Sequence, residues 1–216
     1  MNDRHFFRFV CALAALLVTP LSAPAAAADA SETRTVSGFD RIRLQGVFST
    51  EISAGAGRTS VVVSGEPDAV ARVTTTVEGG TLLVGMRPGA GSSSRSLKLM
   101  VALPVLRGFA NEGAGSTNIT GLTGADIEIT NAGTGSIVAA GRAARETIAL
   151  NGTGRIDVTG VAAHDVTVDN NGVGSVRVRA DGLLTLNVNG VGEIRYAGNP
   201  ARVDSHVNGV GRIAPQ

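Results

Sequence analysis

An asparagine followed by two closely spaced glycines recurs six times in the second half of the chain: NEGAGST from Asn111, NAGTGSI from Asn131, NGTGRI from Asn151, NGVGSV from Asn171, NGVGEI from Asn189 and NGVGRI from Asn208. The second glycines, Gly115, Gly135, Gly154, Gly174, Gly192 and Gly211, are spaced by 20, 19, 20, 18 and 19 residues. A near-constant period of this length is the mark of a solenoid, in which one supersecondary unit repeats and stacks. Each repeat contains two short runs of alternating polarity. Ile137/Ala139, Ile156/Val158, Val176/Val178 and Ile194/Tyr196 follow the glycines; Ile127/Ile129, Ile148/Leu150, Val166/Val168 and Leu184/Leu186/Val188 precede the next asparagine. Alternation places these side chains on one face of a strand and polar ones on the other. One repeat cannot bury that face alone, but stacked coils pairing strand on equivalent strand can.

The glycines then belong to a corner, where the backbone needs positive φ or close approach. Asn151, Asn171, Asn189 and Asn208, beside them, suit such a corner, and their stacked amides can hydrogen-bond from coil to coil. Upstream, DRIRLQGVFSTEIS, TSVVVSG, VTTTVEGGTLLVGM and SLKLMVALPVL read as strands without the period, with a hairpin at EGGT and one helical turn at EPDAVARV. RPGAGSSSRS (residues 87–96) reads as a loop. The expected fold is all-β: a parallel β-helix-like solenoid, right-handed by the crossover rule. It has about 19 residues per coil over 111–213 and more irregular, capping coils over 39–110.

Composition agrees: 29 glycines, only 3% aromatic residues and no Trp. After the N-terminal segment, no helical periodicity extends beyond about ten residues. That N-terminal segment reads as a Sec-type export signal over residues 1–28, with Arg4 and Arg8, an apolar run over 9–21, and small residues suited to cleavage near Ala26–Ala30. Residues 29–38 are expected as a flexible lead. The apolar run is short for a membrane span, and no later stretch is long and apolar enough, so no membrane insertion is expected after cleavage. Cys11, the only cysteine, lies inside the signal, after RFV rather than a lipoprotein cleavage box; no disulfide is expected in the mature chain. Cleavage removes two of the 19 basic and one of the 18 acidic residues, leaving 17 of each. That balance argues against nucleic acid as a partner.

The glycines do not read as a phosphate loop, because GVGSVR and GTGRID lack a third glycine and strands follow them rather than helices. A calcium roll needs aspartate two residues after the second glycine, where this chain has Thr117, Ile137, Ile156, Val176, Ile194 and Ile213. His164 and His206 are too few for zinc, which takes three or four ligands. No metal or cofactor is expected. Two charged faces remain. Outward positions after the glycines carry Arg155, Arg177, Arg179, Arg195 and Arg212, relieved by Asp157 and Glu193; Arg177 and Arg195 fall at equivalent positions of successive coils. Arginine forks suit carboxylate and phosphate, so this face is the candidate site for an anionic envelope polymer. Opposite it, Asp126, Glu128, Asp165, Asp169 and Asp204 project outward, and an acidic face on a β-helix could serve glycoside cleavage. The solvated-surface reading competes with both.

FDRIRLQGVFSTEIS, VEGGTLLV, VALPVL, the repeated glycine pairs and GEIRYAGNPARV together resemble the bacterial head GIN domain family, DUF2807, described as putative auto-transporter adhesins. The resemblance runs from Phe39 to Ile213. It implies an exported β-helix-like protein without an assigned enzymatic activity, and it carries over no catalytic residues. The expectation is therefore a non-catalytic envelope or surface module, exported to the periplasm, the outer surface or the medium, that binds an envelope glycan or protein. A carbohydrate-active enzyme using the acidic face and a purely structural or signalling envelope scaffold are the alternatives. The last coil shows no polar cap, so self-association through the solenoid end is also expected.

Overall fold

The computed structural model describes residues 29–88 and 97–216. The expected export signal with Cys11, and most of the loop at 87–96, lie outside the described residues. The first part of the chain forms β1 (Ala30–Arg34), β2 (Arg41–Leu44), β3 (Val47–Ala54), β4 (Ser60–Gly65), α1 (Pro67–Arg72), β5 (Val73–Glu78), β6 (Thr81–Met86), β7 (Leu97–Leu103) and β8 (Gly108–Asn111). The repeats form β9 (Ala114–Asn131), β10 (Thr134–Leu150), β11 (Thr153–Asn170), β12 (Val173–Arg179), β13 (Leu183–Val188), β14 (Val191–Ala197), β15 (Arg202–Val207) and β16 (Val210–Pro215). Together they wind a β-solenoid of about 5 turns.

The strands line two faces. One runs β1-β4-β7-β3-β9-β10-β11-β12-β14-β16; the other runs through β5, β6, β2 and β8 to the later halves of β9, β10 and β11, then β13 and β15. From β3 and β2 onward, all coil-to-coil pairing is parallel, with equivalent positions of successive repeats opposite one another on both faces. Interior columns follow from that register. Thr117, Ile137, Ile156, Val176, Ile194 and Ile213 lie over one another, as do Ile129, Ile148, Val168 and Leu186 on the other face. All of these except Ile213 are buried, and burial of successive aliphatic columns is the main favourable term in such a fold. Where two short strands per repeat are expected, β9, β10 and β11 instead stay paired through the second bend, at the cost of a register shift near Ala139/Gly141 and Val138/Ala140. Gly121 and Gly141 turn there with φ of +71° and +149°.

The asparagines occupy two columns rather than one. Asn111, Asn131, Leu150, Asn170, Val188 and Val207 are in register and point inward. Asn151, Asn171, Asn189 and Asn208 stand one residue later, outside. There Asn171 donates to Asn151 at 2.9 Å, Asn189 to Asn171 at 2.9 Å, and Asn208 to Asn189 at 3.0 Å. Asn111 and Asn131 pair inside, Nδ2 to Oδ1 at 2.9 Å. Asn171→Ala breaks two rungs of the outer ladder at once. The expected loss is about 1 kcal/mol, since each exposed neutral hydrogen bond is worth little net of water. A shift in the denaturant midpoint measures it, and an unchanged midpoint would show the ladder to be decoration.

Two departures concern the N-terminal part. Residues 30–34, expected as a flexible lead, form β1, which pairs antiparallel with β4 while Arg34 donates to the Val70 carbonyl at 2.9 Å; the sheet edge on β4 is thereby covered. The coils also do not stack in chain order. β7 lies outside β3, and β6 outside β2, so the segment made later caps the one made earlier. The hairpin at EGGT is present, joining β5 to β6 with Gly79 and Gly80 both at positive φ, as a two-residue connection of twisted strands requires. The helical turn at EPDAVARV is α1, started by Pro67 and burying Ala69 and Val70.

Candidate functional site

The parallel register assembles the arginines that the sequence scatters. Arg155 stacks on Ser175, then Glu193 and Arg212. Asp157 stacks on Arg177, then Arg195. Arg179 lies over Ala197, at the far end of the same strands. Alternation holds all of them outward because Ile156, Val176, Val178 and Ile194, between them, are buried. Five arginines therefore share one strand face with two carboxylates.

Arg177 and Arg195 sit directly opposite, a pairing of like charges that is unfavourable by itself. Neighbouring acids relieve it. Arg177 lies 3.7 Å from Asp157, and Arg195 donates to Glu193 at 2.8 Å. Glu193 also accepts from Arg212 at 2.8 Å. These two guanidinium hydrogen bonds, Arg212 first, hold the Glu193 carboxyl below the usual carboxylate range. Arg155 reaches only the Ser175 hydroxyl, at 3.4 Å, and Arg179 has no ion pair among the described residues. Two of the cations thus keep donors for a ligand. Beside them runs an open groove along the solenoid axis, floored by Gly135, Gly154 and Gly174 and rimmed by Ser136, Arg155 and Ser175. Its floor is a close backbone stack: a Cβ at Gly154 would fall on the Gly135 carbonyl oxygen of the adjacent coil, and one at Gly174 on that of Gly154. The outer ladder of Asn151, Asn171, Asn189 and Asn208 lies on the other side of these glycines, with Gly115, Gly192 and Gly211 continuing their column.

On the opposite face the carboxylates are dispersed among donors. Asp126, Arg145 and Asp165 form one column in that order. Arg145 donates to Asp126 at 2.7 Å, and this bond keeps the Asp126 carboxyl below its ordinary value. Glu128 accepts from Arg41 at 2.8 Å, Asp165 from the Leu183 backbone N–H at 2.9 Å, and Asp169 from Asn187 at 2.8 Å. Asp204 accepts from Arg202 at 2.9 Å, with His206 two residues along the same strand.

One carboxyl escaped the sequence reading. Glu146 is in register with Ile127 on one side and Val166 on the other, in an interior column that continues to Leu184. It is 1% exposed, and neither of its oxygens has a hydrogen-bond partner among the described residues. Burial pushes its carboxyl up to about 8. The signal in the sequence is a glutamate at the position where the neighbouring repeats carry Ile127, Val166 and Leu184. A displaced carboxyl often marks an active site, but Glu146 is enclosed in a column of Ile127, Val166 and Leu184.

A family model described as "Putative auto-transporter adhesin, head GIN domain" (DUF2807) matches residues 38–200. Among solved structures, a putative adhesin from Bacteroides fragilis superposes with a TM-score of 0.72 at 21% identity, over 88% of this chain and 98% of the other. A putative lipid binding protein from Parabacteroides distasonis superposes at 0.55 with 20% identity, over 87% and 96%. At these identities the likeness is one of fold. No curated protein matches the sequence.

Proposed function

This chain belongs to the DUF2807 family, the head GIN domain of putative auto-transporter adhesins, and from that premise we propose that it is an exported, non-catalytic binding module of the cell envelope whose arginine-bearing face holds an anionic polymer. One observation carries the reading: Arg155, Arg177, Arg179 and Arg195 come together on the adjacent strands β11, β12 and β14. Guanidinium groups recognise carboxylate and phosphate in a fork. Repetition along the axis, at about 4.8 Å per coil, suits an extended ligand better than a compact one. The name of the Parabacteroides distasonis structure, a putative lipid binding protein, is compatible with the same donors, since the phosphate of a phospholipid headgroup suits a guanidinium fork.

Among the described residues the glycosidase reading lacks its working pair. A general acid needs a raised carboxyl facing solvent beside a second carboxylate. Asp126 is lowered by Arg145, and the raised group, Glu146, is sealed inside. Converting Arg155, Arg177, Arg179 and Arg195 together to Gln tests the binding reading. The wild type is expected to be retained on immobilised polygalacturonate or a sulfated glycan at low salt and released as salt screens the contacts. The quadruple variant is expected to elute in the flow-through with an unchanged melting curve. Equal retention of the two proteins would sink the reading.

A further inference from the structure

The two ends of the solenoid are built differently. The N-terminal end finishes in the antiparallel strands β1, β4 and β5, with α1 packed on β1 and β4. The other end finishes in a rung like those above it, made of β15 and β16. Among the described residues nothing covers the interior columns at this rung. Leu184 and Val188 are 0% exposed, while Val203 and Val207, their register partners one coil on, are 38% and 47% exposed. Ser205 stands where the column above it has Leu186.

The backbone directions on this rung can be read from its bonds. Arg202 and Asn208 donate their N–H groups to Gly182 and Val188 on the solenoid side. By strand alternation, Asp204 and His206 face the same way, and Val203, Ser205 and Val207 turn their N–H and C=O groups outward. On β16, Val210 and Gln216 donate inward to Gly190 and Tyr196, so Gly211, Ile213 and Pro215 face out. Pro215 has no N–H, which blunts that edge in the manner of natural edge strands. β15 has no such guard.

We propose that β15 is the pairing edge for a second copy of this chain, joined antiparallel about a two-fold axis at Ser205. The outward groups of Val203, Ser205 and Val207 restrict partners to those same residues, and the charges choose among the registers. Centring on Asp204 or on His206 sets like groups directly opposite. Centring on Ser205 sets Val203 against the second copy's Val207 on the apolar side and Asp204 against the second copy's His206 on the polar side. Asp204 uses one oxygen for Arg202 and keeps the other for the imidazole N–H. Antiparallel opposite-sense pairs of this kind stabilise a sheet. The exposed ends of the interior columns then close on each other. Among the described residues the N-terminal end offers no matching parallel rung, so the contact is isologous and stops at a dimer rather than growing into a filament.

Light scattering on the full-length expressed protein across a hundredfold concentration range is expected to show twice the monomer mass at the upper end and the monomer at the lower. Ser205→Pro removes the central outward N–H without touching a bond within the chain, and is expected to leave a monomer throughout. His206→Asp, which places Asp204 against a carboxylate twice per dimer, is expected to weaken association at least tenfold and to respond to salt; it serves should the proline variant not fold. Ser205→Cys is expected to form a covalent dimer on mild oxidation, and His206→Cys is not. A wild type that stays monomeric at every concentration overturns the proposal. So does a dimer indifferent to Ser205→Pro and His206→Asp.

Discussion

Replacing Glu146 with valine is expected to stabilise the protein at pH 8 by several kcal/mol and to remove most of the pH dependence of its stability between about pH 4.5 and 8. The glutamate occupies a column of Ile127, Val166 and Leu184 and has no partner for either oxygen. In the unfolded chain its carboxyl ionises near the ordinary 4.5; in the folded chain it does so near 8. Below the lower value both states hold the proton and the group adds no pH dependence. Between the two values the unfolded chain releases the proton while the folded chain keeps it. Stability therefore falls by about 1.4 kcal/mol per pH unit. Above pH 8 both states are ionised and the loss levels off, at roughly 5 kcal/mol in total. Folded domains are commonly stable by about 5–15 kcal/mol, so a loss of this size at one side chain is expected to be a large share of the total. Valine matches its neighbours in shape and has no proton to lose. Glu146→Gln should flatten the same slope while leaving an unsatisfied amide, so its gain at pH 8 should be smaller. Denaturant titrations at pH 5, 7 and 8.5 provide the measurement. If the wild type and Glu146→Val show parallel pH profiles, the carboxyl is not ionising from the interior.

Gly154→Ala is expected to destabilise the fold by about 4 kcal/mol, a large effect for one methyl group. The residue has φ of +146°, a region that is essentially glycine-only, and an L residue there costs about 1–3 kcal/mol. Its Cβ would also land on the carbonyl of Gly135 in the adjacent coil. That neighbour is backbone in a paired ladder and cannot swing aside, so the coils must part, at a further cost of about 1–3 kcal/mol. Gly124→Ala is the control. A Cβ there meets only the Asp126 carbonyl and an Ile127 side-chain carbon, each at an ordinary 3.8 Å. Its effect should lie within about 0.5 kcal/mol of zero. Equal melting temperatures for the two variants would refute the argument that the glycine column sets coil spacing.

Much of the repeat region could be read from residues in order. The stacking of Ile156, Val176 and Ile194, and of Arg177 on Arg195, follows from counting forward from each second glycine. The outer asparagine ladder follows the same count from Asn151 onward. The count misleads at Asn111 and Asn131. There an extra residue sits between asparagine and glycine, and the amide moves from the outer column to the inner one. Glu146 shares the inward face of Ile148 and Leu150 by alternation, but a carboxylate is almost never fully buried without a partner, so residue type points outward where the register points in. The ion pairs were harder still. Arg145 comes between Asp126 and Asp165 only after the bend at Gly141 is crossed with its register shift.

Local chemistry in the chain was enough to determine the period, the inward aliphatic positions and the glycine corners, because alternation and backbone freedom act within a few residues. Only the tertiary structure decided that β6 and β7 lie outside β2 and β3, that Arg41 meets Glu128, 87 positions away in sequence, and that among the described residues β1 covers the edge at β4 while Val203 and Val207 on β15 stay exposed. Those outcomes depend on which coil settles against which. Where the period is absent, no spacing along the chain encodes that choice; the burial of whole faces does.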